Sequence, residues 1–147
     1  ISFLIIFNSC GFKPINQVDK KNYFVNNITS QGEKRVAYFL KEKILLRSKD
    51  DAESKFNVDL KKTKTKEIKE KKISGKISSY KITLKVNLFL ENIEDFKKIS
   101  NNFTKSVSFN VANNHSDTIA NEKKATEDLT ERISEDIVNF FIIYLNR

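Results

Sequence analysis

Residues 80–90, YKITLKVNLFL, carry the clearest structural signal in the chain, because apolar and polar side chains alternate along them. The apolar residues at every second position are Tyr80, Ile82, Leu84, Val86, Leu88 and Leu90. The residues between them are polar or charged, with the exception of Phe89. Successive side chains of a β-strand point to opposite faces, so the pattern predicts a long strand with one buried face.

A second alternating segment follows downstream. Its apolar positions are Phe103, Val107, Phe109 and Val111, and Lys105 interrupts them. The connection of residues 92–102 between the two segments indicates an antiparallel hairpin.

Upstream, a third strand is predicted where Phe56, Val58 and Leu60 alternate with polar residues. The lysine-rich residues that follow are expected to continue this strand to a turn near Ser74 and Gly75. A short first strand is predicted at residues 23–28, which are rich in β-forming side chains.

Two segments have the apolar spacing of amphipathic helices. Residues 32–47 form the first, and Ser30 and Glu33 before it have the spacing of a capping box. The second runs to the end of the chain, with apolar positions at Ile119, Leu129, Ile133, Ile137, Phe140 and Tyr144. His115 is expected in the loop before it.

The predicted order is therefore β-α-β-β-β-α. Strands with one apolar face and helices with one apolar stripe bury these surfaces against each other. The fold class predicted is an α/β (α+β) two-layer sandwich, with about four strands and two helices packed on one face of the sheet.

The positive charge is concentrated in one segment. The chain has a net charge of +8, and residues 61–76 contain eight lysines against Glu67 and Glu70. One interpretation is a solvated strand edge, where lysine prevents edge-to-edge pairing. The other is a patch that binds a polyanion. The segment contains no aromatic residue, which argues against binding of single-stranded nucleic acid, where bases stack on aromatic rings.

Residues 1–11, ISFLIIFNSCG, resemble a bacterial lipobox. An apolar run is followed by the small Ser9 and by Cys10, the only cysteine in the chain. Residues 1–9 are expected to be the end of a signal peptide whose charged start lies upstream. Residues 10–22 are then the lipidated Cys10 and a polar tether. The alternative is a buried strand with Cys10 as a core thiol.

Motifs for catalysis or for metal binding are not found in the sequence. One cysteine and one histidine offer neither a zinc site nor a Cys/His pair, and there is no glycine-rich phosphate loop. We therefore expect no enzyme activity, no cofactor and no metal. The acidic residues of the last helix alternate with basic ones, which is typical of a solvated helix face.

The start of the domain, Cys10-Gly11-Phe12-Lys13-Pro14, is similar to the Cys-Gly-Phe-x-Pro start of the LptE family of lipopolysaccharide-assembly lipoproteins. The predicted order of strands and helices is similar too, as is the segment ANEKKA at residues 120–125. The resemblance implies that residues 23–147 form an LptE-like α/β domain. It also implies a lipid anchor on Cys10 and a periplasm-facing position at the bacterial outer membrane.

The same resemblance implies a β-barrel partner similar to LptD and a part in lipopolysaccharide transport. Two surfaces are inferred from the residues themselves. We expect Lys61, Lys62, Lys64 and Lys66 to bind lipopolysaccharide, and Phe140, Phe141 and Ile142 to bind the partner. An auxiliary lipoprotein of an ABC transporter is the alternative function, and a basic nucleic-acid-binding domain is a third.

Acylation of Cys10 is the first testable prediction. In a Gram-negative host, the chain with a completed signal peptide should incorporate radiolabelled palmitate. Cys10→Ala removes the thiol that becomes acylated, so this variant should incorporate none and should keep its signal peptide. Equal labelling of the two proteins would contradict the lipoprotein interpretation.

Overall fold

A computed structural model describes residues 22–145 and confirms the predicted fold class. The elements in chain order are β1 (Tyr23–Gln31), α1 (Lys34–Leu45), β2 (Ser54–Lys71), β3 (Ile77–Asn92), β4 (Lys98–Asn110) and α2 (His115–Leu145). The four strands form one sheet and the two helices form a second layer against it.

The sheet is mixed, with the strand order β1-β2-β3-β4. The pair β1–β2 is parallel and is connected through α1, whereas β2–β3 and β3–β4 are antiparallel. The alternation in residues 80–90 has the predicted consequence: Ile82, Leu84, Val86, Leu88 and Leu90 are buried beneath the helices. The expected hairpin of β3 and β4 is confirmed, although its connection is shorter, at residues 93–97.

The hairpin of β2 and β3 is longer than the rest of the sheet. On one side β1 ends opposite Lys61, and on the other side β4 ends opposite Ser79. Residues 68–77 form the end of this hairpin, which we call the ribbon: β2 has only β3 as a neighbour there, and β4 pairs with β3 only from Ser79 onward. The predicted turn is confirmed at its end, where the Gly75 amide donates to the Lys72 carbonyl over 2.8 Å.

The helices face the sheet with the apolar positions that their spacing predicts. In α1 these are Val36, Leu40 and Ile44. Two ion pairs connect the helices along their exposed side: Arg35 lies 2.6 Å from Glu127, and Lys43 lies 3.5 Å from Glu131. Exposed pairs of this kind contribute about 0–1 kcal/mol each, so burial of the apolar stripes dominates the packing.

Tyr23 of β1 is buried at one end of the core, where it contacts both α1 and α2. Its ring stacks on Phe141 of α2 with centroids 4.4 Å apart. Its hydroxyl donates to the carbonyl oxygen of Ile44, near the end of α1, over 2.9 Å. Burial raises the pKa of Tyr23 to about 12, against a smaller lowering effect of Arg47.

Two local predictions were wrong at helix starts. Strand β1 continues to Gln31, so Ser30 lies in the sheet, and Glu33 precedes α1 without a side-chain capping bond. Pairing of Ser30 and Gln31 with β2 thus replaced the expected capping box. His115 is the first residue of α2 and not a loop residue, and Asn114 caps this helix by accepting a bond from the Asp117 amide.

Lys105 interrupts the apolar pattern of β4 without changing its register. It keeps its place in the antiparallel ladder opposite Leu84. Its ammonium reaches Asp136 of α2 over 2.8 Å. The long stem of lysine therefore allows a charged residue on the helix-facing side of an edge strand.

Gly32 allows the chain to leave β1 and enter α1. Its φ of +105° is a conformation that residues with a Cβ rarely adopt. A Cβ at this position would lie 2.5 Å from the carbonyl oxygen of Lys62, which belongs to the backbone of β2. The close approach of the two backbones therefore requires glycine.

Gly32→Ala should lower the free energy of unfolding by about 2 kcal/mol or more, because backbone strain and a backbone clash are combined. Gly75→Ala is the matched control: its φ is +80°, but nothing lies within 4 Å of an added Cβ. It should lose only about 1 kcal/mol. Urea unfolding followed by circular dichroism measures both, and equal losses would contradict the role of the clash.

Candidate ligand- and partner-binding surfaces

The four lysines expected to bind lipopolysaccharide do not share one exposed edge. In β2 the side chains alternate, so Lys62, Lys64 and Lys66 lie on the helix side of the sheet. Lys61 lies on the opposite face, with its ammonium 5.4 Å from the ring centroid of Phe89. The strand period thus divides the lysine-rich segment between two surfaces.

Lys62 is almost completely buried, with 8% of its surface exposed. Its ammonium donates to the hydroxyl of Ser30 over 3.0 Å. Burial first, and then the charge of Lys41, hold the pKa of Lys62 below its ordinary value, while Glu33 acts in the opposite direction. This side chain has little surface to offer a large ligand.

Lys64 and Lys66 are both paired with carboxylates of the helix layer. Lys64 lies 3.2 Å from Glu33, and Lys66 lies 2.6 Å from Glu122 of α2. The Lys66 ammonium also lies over the ring of Tyr80, 4.5 Å from its centroid. A cation between a carboxylate and an aromatic ring holds the start of α2 against the sheet, and each contact contributes about 1 kcal/mol or less.

The remaining four lysines of the segment lie further along, on the ribbon, and all of them are exposed. They are Lys69, Lys71, Lys72 and Lys76. Ile73, in the turn between the two strands, is fully exposed. The ribbon therefore presents four ammonium groups around an apolar tip, and one of them, that of Lys69, lies 3.9 Å from the Glu70 carboxylate.

Most apolar side chains at the end of α2 are buried or half-buried in the core. Phe141 is fully buried between Tyr23 and Phe56, with the Phe56 ring centroid 5.8 Å away. Phe140 is half-buried against Phe103 and Ile142 is half-buried, whereas Ile143 is 57% exposed. Phe141 therefore has no surface for a partner, and sequence reasoning missed Ile143, which is the most exposed apolar side chain at this end.

A further surface, which the sequence-based site did not include, lies on the face of the sheet opposite the helices. A cavity of about 420 Å³ is formed there by side chains of all four strands. Phe89, the exception in the alternation of β3, lies in it and is 40% exposed. The sequence did contain a signal for this surface: Phe89 is an apolar residue at a position that the alternation in residues 80–90 assigns to solvent.

Cys10 and nearly all of its tether lie outside the described residues, so the predicted lipidation site has no described surroundings. Within residues 22–145, no group of three or more acidic, histidine or cysteine side chains could hold a metal ion. Neither α1 nor α2 is long and apolar enough to cross a membrane.

The fold that these elements define is that of several bacterial lipoproteins. Rare lipoprotein B from Shewanella oneidensis matches with a TM-score of 0.59 at 10% identity, covering 86% of this chain and 100% of its own. Lipoprotein B from Nitrosomonas europaea matches with a TM-score of 0.57 at 14% identity, covering 92% and 93%.

A lipoprotein from Caulobacter crescentus CB15 also matches, with a TM-score of 0.57 at 13% identity, covering 83% of this chain and 90% of its own. At these identities the comparison establishes a shared fold. No protein-family model matches the sequence, and no curated protein matches it.

The contrast between Phe141 and Ile143 gives a direct prediction. Phe141→Ala should lower the free energy of unfolding by about 3–5 kcal/mol, because a fully buried ring is lost from the core. Ile143→Ala, two residues along the same helix, should change it by less than about 0.5 kcal/mol. Thermal unfolding of the two variants checks this, and similar stability losses would show that the end of α2 packs differently.

Proposed function

We propose that this chain is a non-enzymatic, lipid-anchored lipoprotein of the bacterial outer membrane. In this proposal it faces the periplasm, assembles with an LptD-like β-barrel and takes part in lipopolysaccharide transport. The fold shared with rare lipoprotein B and two further lipoproteins supports the proposal.

The observation that carries the proposal is the lone Cys10, which follows an apolar run and precedes a domain of this fold that begins at Tyr23. Acyl chains contribute about 0.8 kcal/mol for each buried CH₂ group, so a multiply acylated cysteine would hold the domain stably on a membrane. The polar residues between Cys10 and Tyr23 are then a tether.

For the contact with lipopolysaccharide, we propose the exposed lysines of the β2–β3 hairpin. Of the four lysines expected at first, Lys62, Lys64 and Lys66 already have partners in the domain, and Lys61 contacts Phe89. The four ribbon lysines have exposed side chains. Flexible ammonium groups suit the phosphates of a mobile polyanion, and the affinity should fall as salt rises.

Crosslinking in intact cell envelopes tests the partner. The full chain, with its signal peptide completed and a C-terminal tag, is crosslinked, and the attached proteins are identified by mass spectrometry. Recovery of one outer-membrane β-barrel supports the proposal, and Ile143→Asp should reduce it if the end of α2 contributes. Recovery of an ABC transporter component supports the alternative function. Recovery of neither contradicts both.

Two triple variants with the same loss of charge test the lysines. Lys69→Gln, Lys71→Gln and Lys76→Gln together should weaken binding of purified lipopolysaccharide by about tenfold or more at low salt, with unfolding unchanged. The control combines Lys62→Gln, Lys64→Gln and Lys66→Gln. It should lower the free energy of unfolding by about 1–2 kcal/mol and change the affinity much less. Unchanged binding in the ribbon variant at two salt concentrations would remove the ribbon from the mechanism.

A further inference from the structure

The face of the sheet opposite the helices carries two rows of side chains that cross all four strands. The strand register aligns them, because residues paired across neighbouring strands project to the same side. One row is Asn27, Asn57, Glu91 and Lys98. The next row is Thr29, Asp59, Phe89 and Ser100. These eight side chains line the cavity of about 420 Å³ on this face.

Phe89 is the only aromatic side chain in the two rows. It belongs to the inner strand β3, so its ring lies between polar side chains on both neighbouring strands. It is 40% exposed although the ammonium of Lys61 lies 5.4 Å from its centroid. An exposed ring at this place is available as a flat apolar contact in an otherwise hydrophilic cavity.

The polar side chains around the ring are held in place by one another. The Asp59 carboxylate accepts from the Thr29 hydroxyl over 2.8 Å, and the Asn57 amide oxygen accepts from the Asn26 amide over 3.0 Å. A carboxylate has acceptor sites for about four hydrogen bonds, so one bond from Thr29 leaves acceptor capacity toward the cavity. These hydrogen bonds therefore orient the side chains and leave hydrogen-bonding capacity for a ligand.

The charged side chains that line the cavity are Asp59, Glu91 and Lys98, so the lining has little net charge, in contrast with the chain as a whole. Glu91 lies 3.4 Å from Lys98, and Asp59 shares the face with Lys61. The lining therefore carries two carboxylates and one ammonium group, with Lys61 beside it on β2, while the net charge of the chain is +8. A lining with so little net charge does not favour an anion, so its chemistry suits a neutral ligand.

We propose that this face, centred on Phe89, is a binding site for a neutral oligosaccharide. A pyranose ring has an apolar C–H face, which packs on an aromatic ring, and hydroxyl groups at its edge, which bond to amides, carboxylates and hydroxyls. Phe89 supplies the first kind of contact and Asn57, Asp59 and Ser100 supply the second. The volume lies in the range of about 300–1,000 Å³ that ligand sites usually have. This site depends on neither the lipid anchor nor the lysines of the ribbon.

Nuclear magnetic resonance titration of the ¹⁵N-labelled full chain tests the proposal. The probes are maltotriose and chitotriose, which are neutral and differ in the sugar they repeat. At least one should shift the backbone amides of Phe89 and Glu91 and the side-chain amides of Asn27 and Asn57 in a saturable way. Resonances of α1 and α2, on the other side of the sheet, should not move.

Variants at Phe89 distinguish the effect of an aromatic ring from the effect of an apolar side chain of similar size. Phe89→Leu keeps an apolar side chain and should fold, but it should weaken saccharide binding by roughly tenfold, because a stacking surface is lost. Phe89→Tyr should retain binding. Tyr38→Ala, which removes an exposed ring from α1, is the control and should change nothing. The absence of saturable shifts with both sugars, or equal affinity of Phe89→Leu and the natural chain, would overturn the proposal.

Discussion

The buried contact of Tyr23 with Phe141 fixes three elements with respect to each other. The stacked rings join the first strand to the last helix, and the Tyr23 hydroxyl joins both to the carbonyl of Ile44 at the end of α1. Next to it, the Val25 amide donates to the Ser48 hydroxyl, which holds the exit of α1 against β1. Since β1 pairs with β2, and β2 with β3, the position of the helix layer over the whole sheet follows from this contact.

Most of the fold could be predicted because its patterns are local and strongly periodic. The alternation in residues 80–90 determines which face of β3 is buried, and the helical spacing in α1 and α2 determines theirs. The helix starts were harder. Ser30 and Glu33 satisfy the spacing of a capping box, but pairing of Ser30 with Leu60 in the sheet prevailed over the local signal. Pairing between distant segments cannot be deduced from a four-residue motif.

The candidate sites were harder still, because function depends on the partner of each charge. Eight lysines in sixteen residues indicate a cationic segment, yet the partners Glu33 and Glu122 come from other elements. The period of two separates Lys61 from Lys62, Lys64 and Lys66 as soon as the segment is assigned to a strand, but the partners of these lysines follow only from the tertiary structure. For the same reason the apolar end of α2 could be recognised from sequence, whereas the burial of Phe141 against Tyr23 depends on the tertiary packing.

Strand β2 has two parts that differ in local stability, although it is one uninterrupted strand. Residues 54–61 have a neighbour on each side and apolar side chains beneath the helices, so their amide hydrogens should be among the slowest to exchange. Residues 68–71 pair with β3 alone, and the last pair, Lys71 with Ile77, lies beyond the end of β4, where a two-stranded ladder is marginal in water. The free end can therefore twist or fray without disturbing the core. The lysines near the turn can therefore follow a bound polyanion over a range of positions while the core remains fixed.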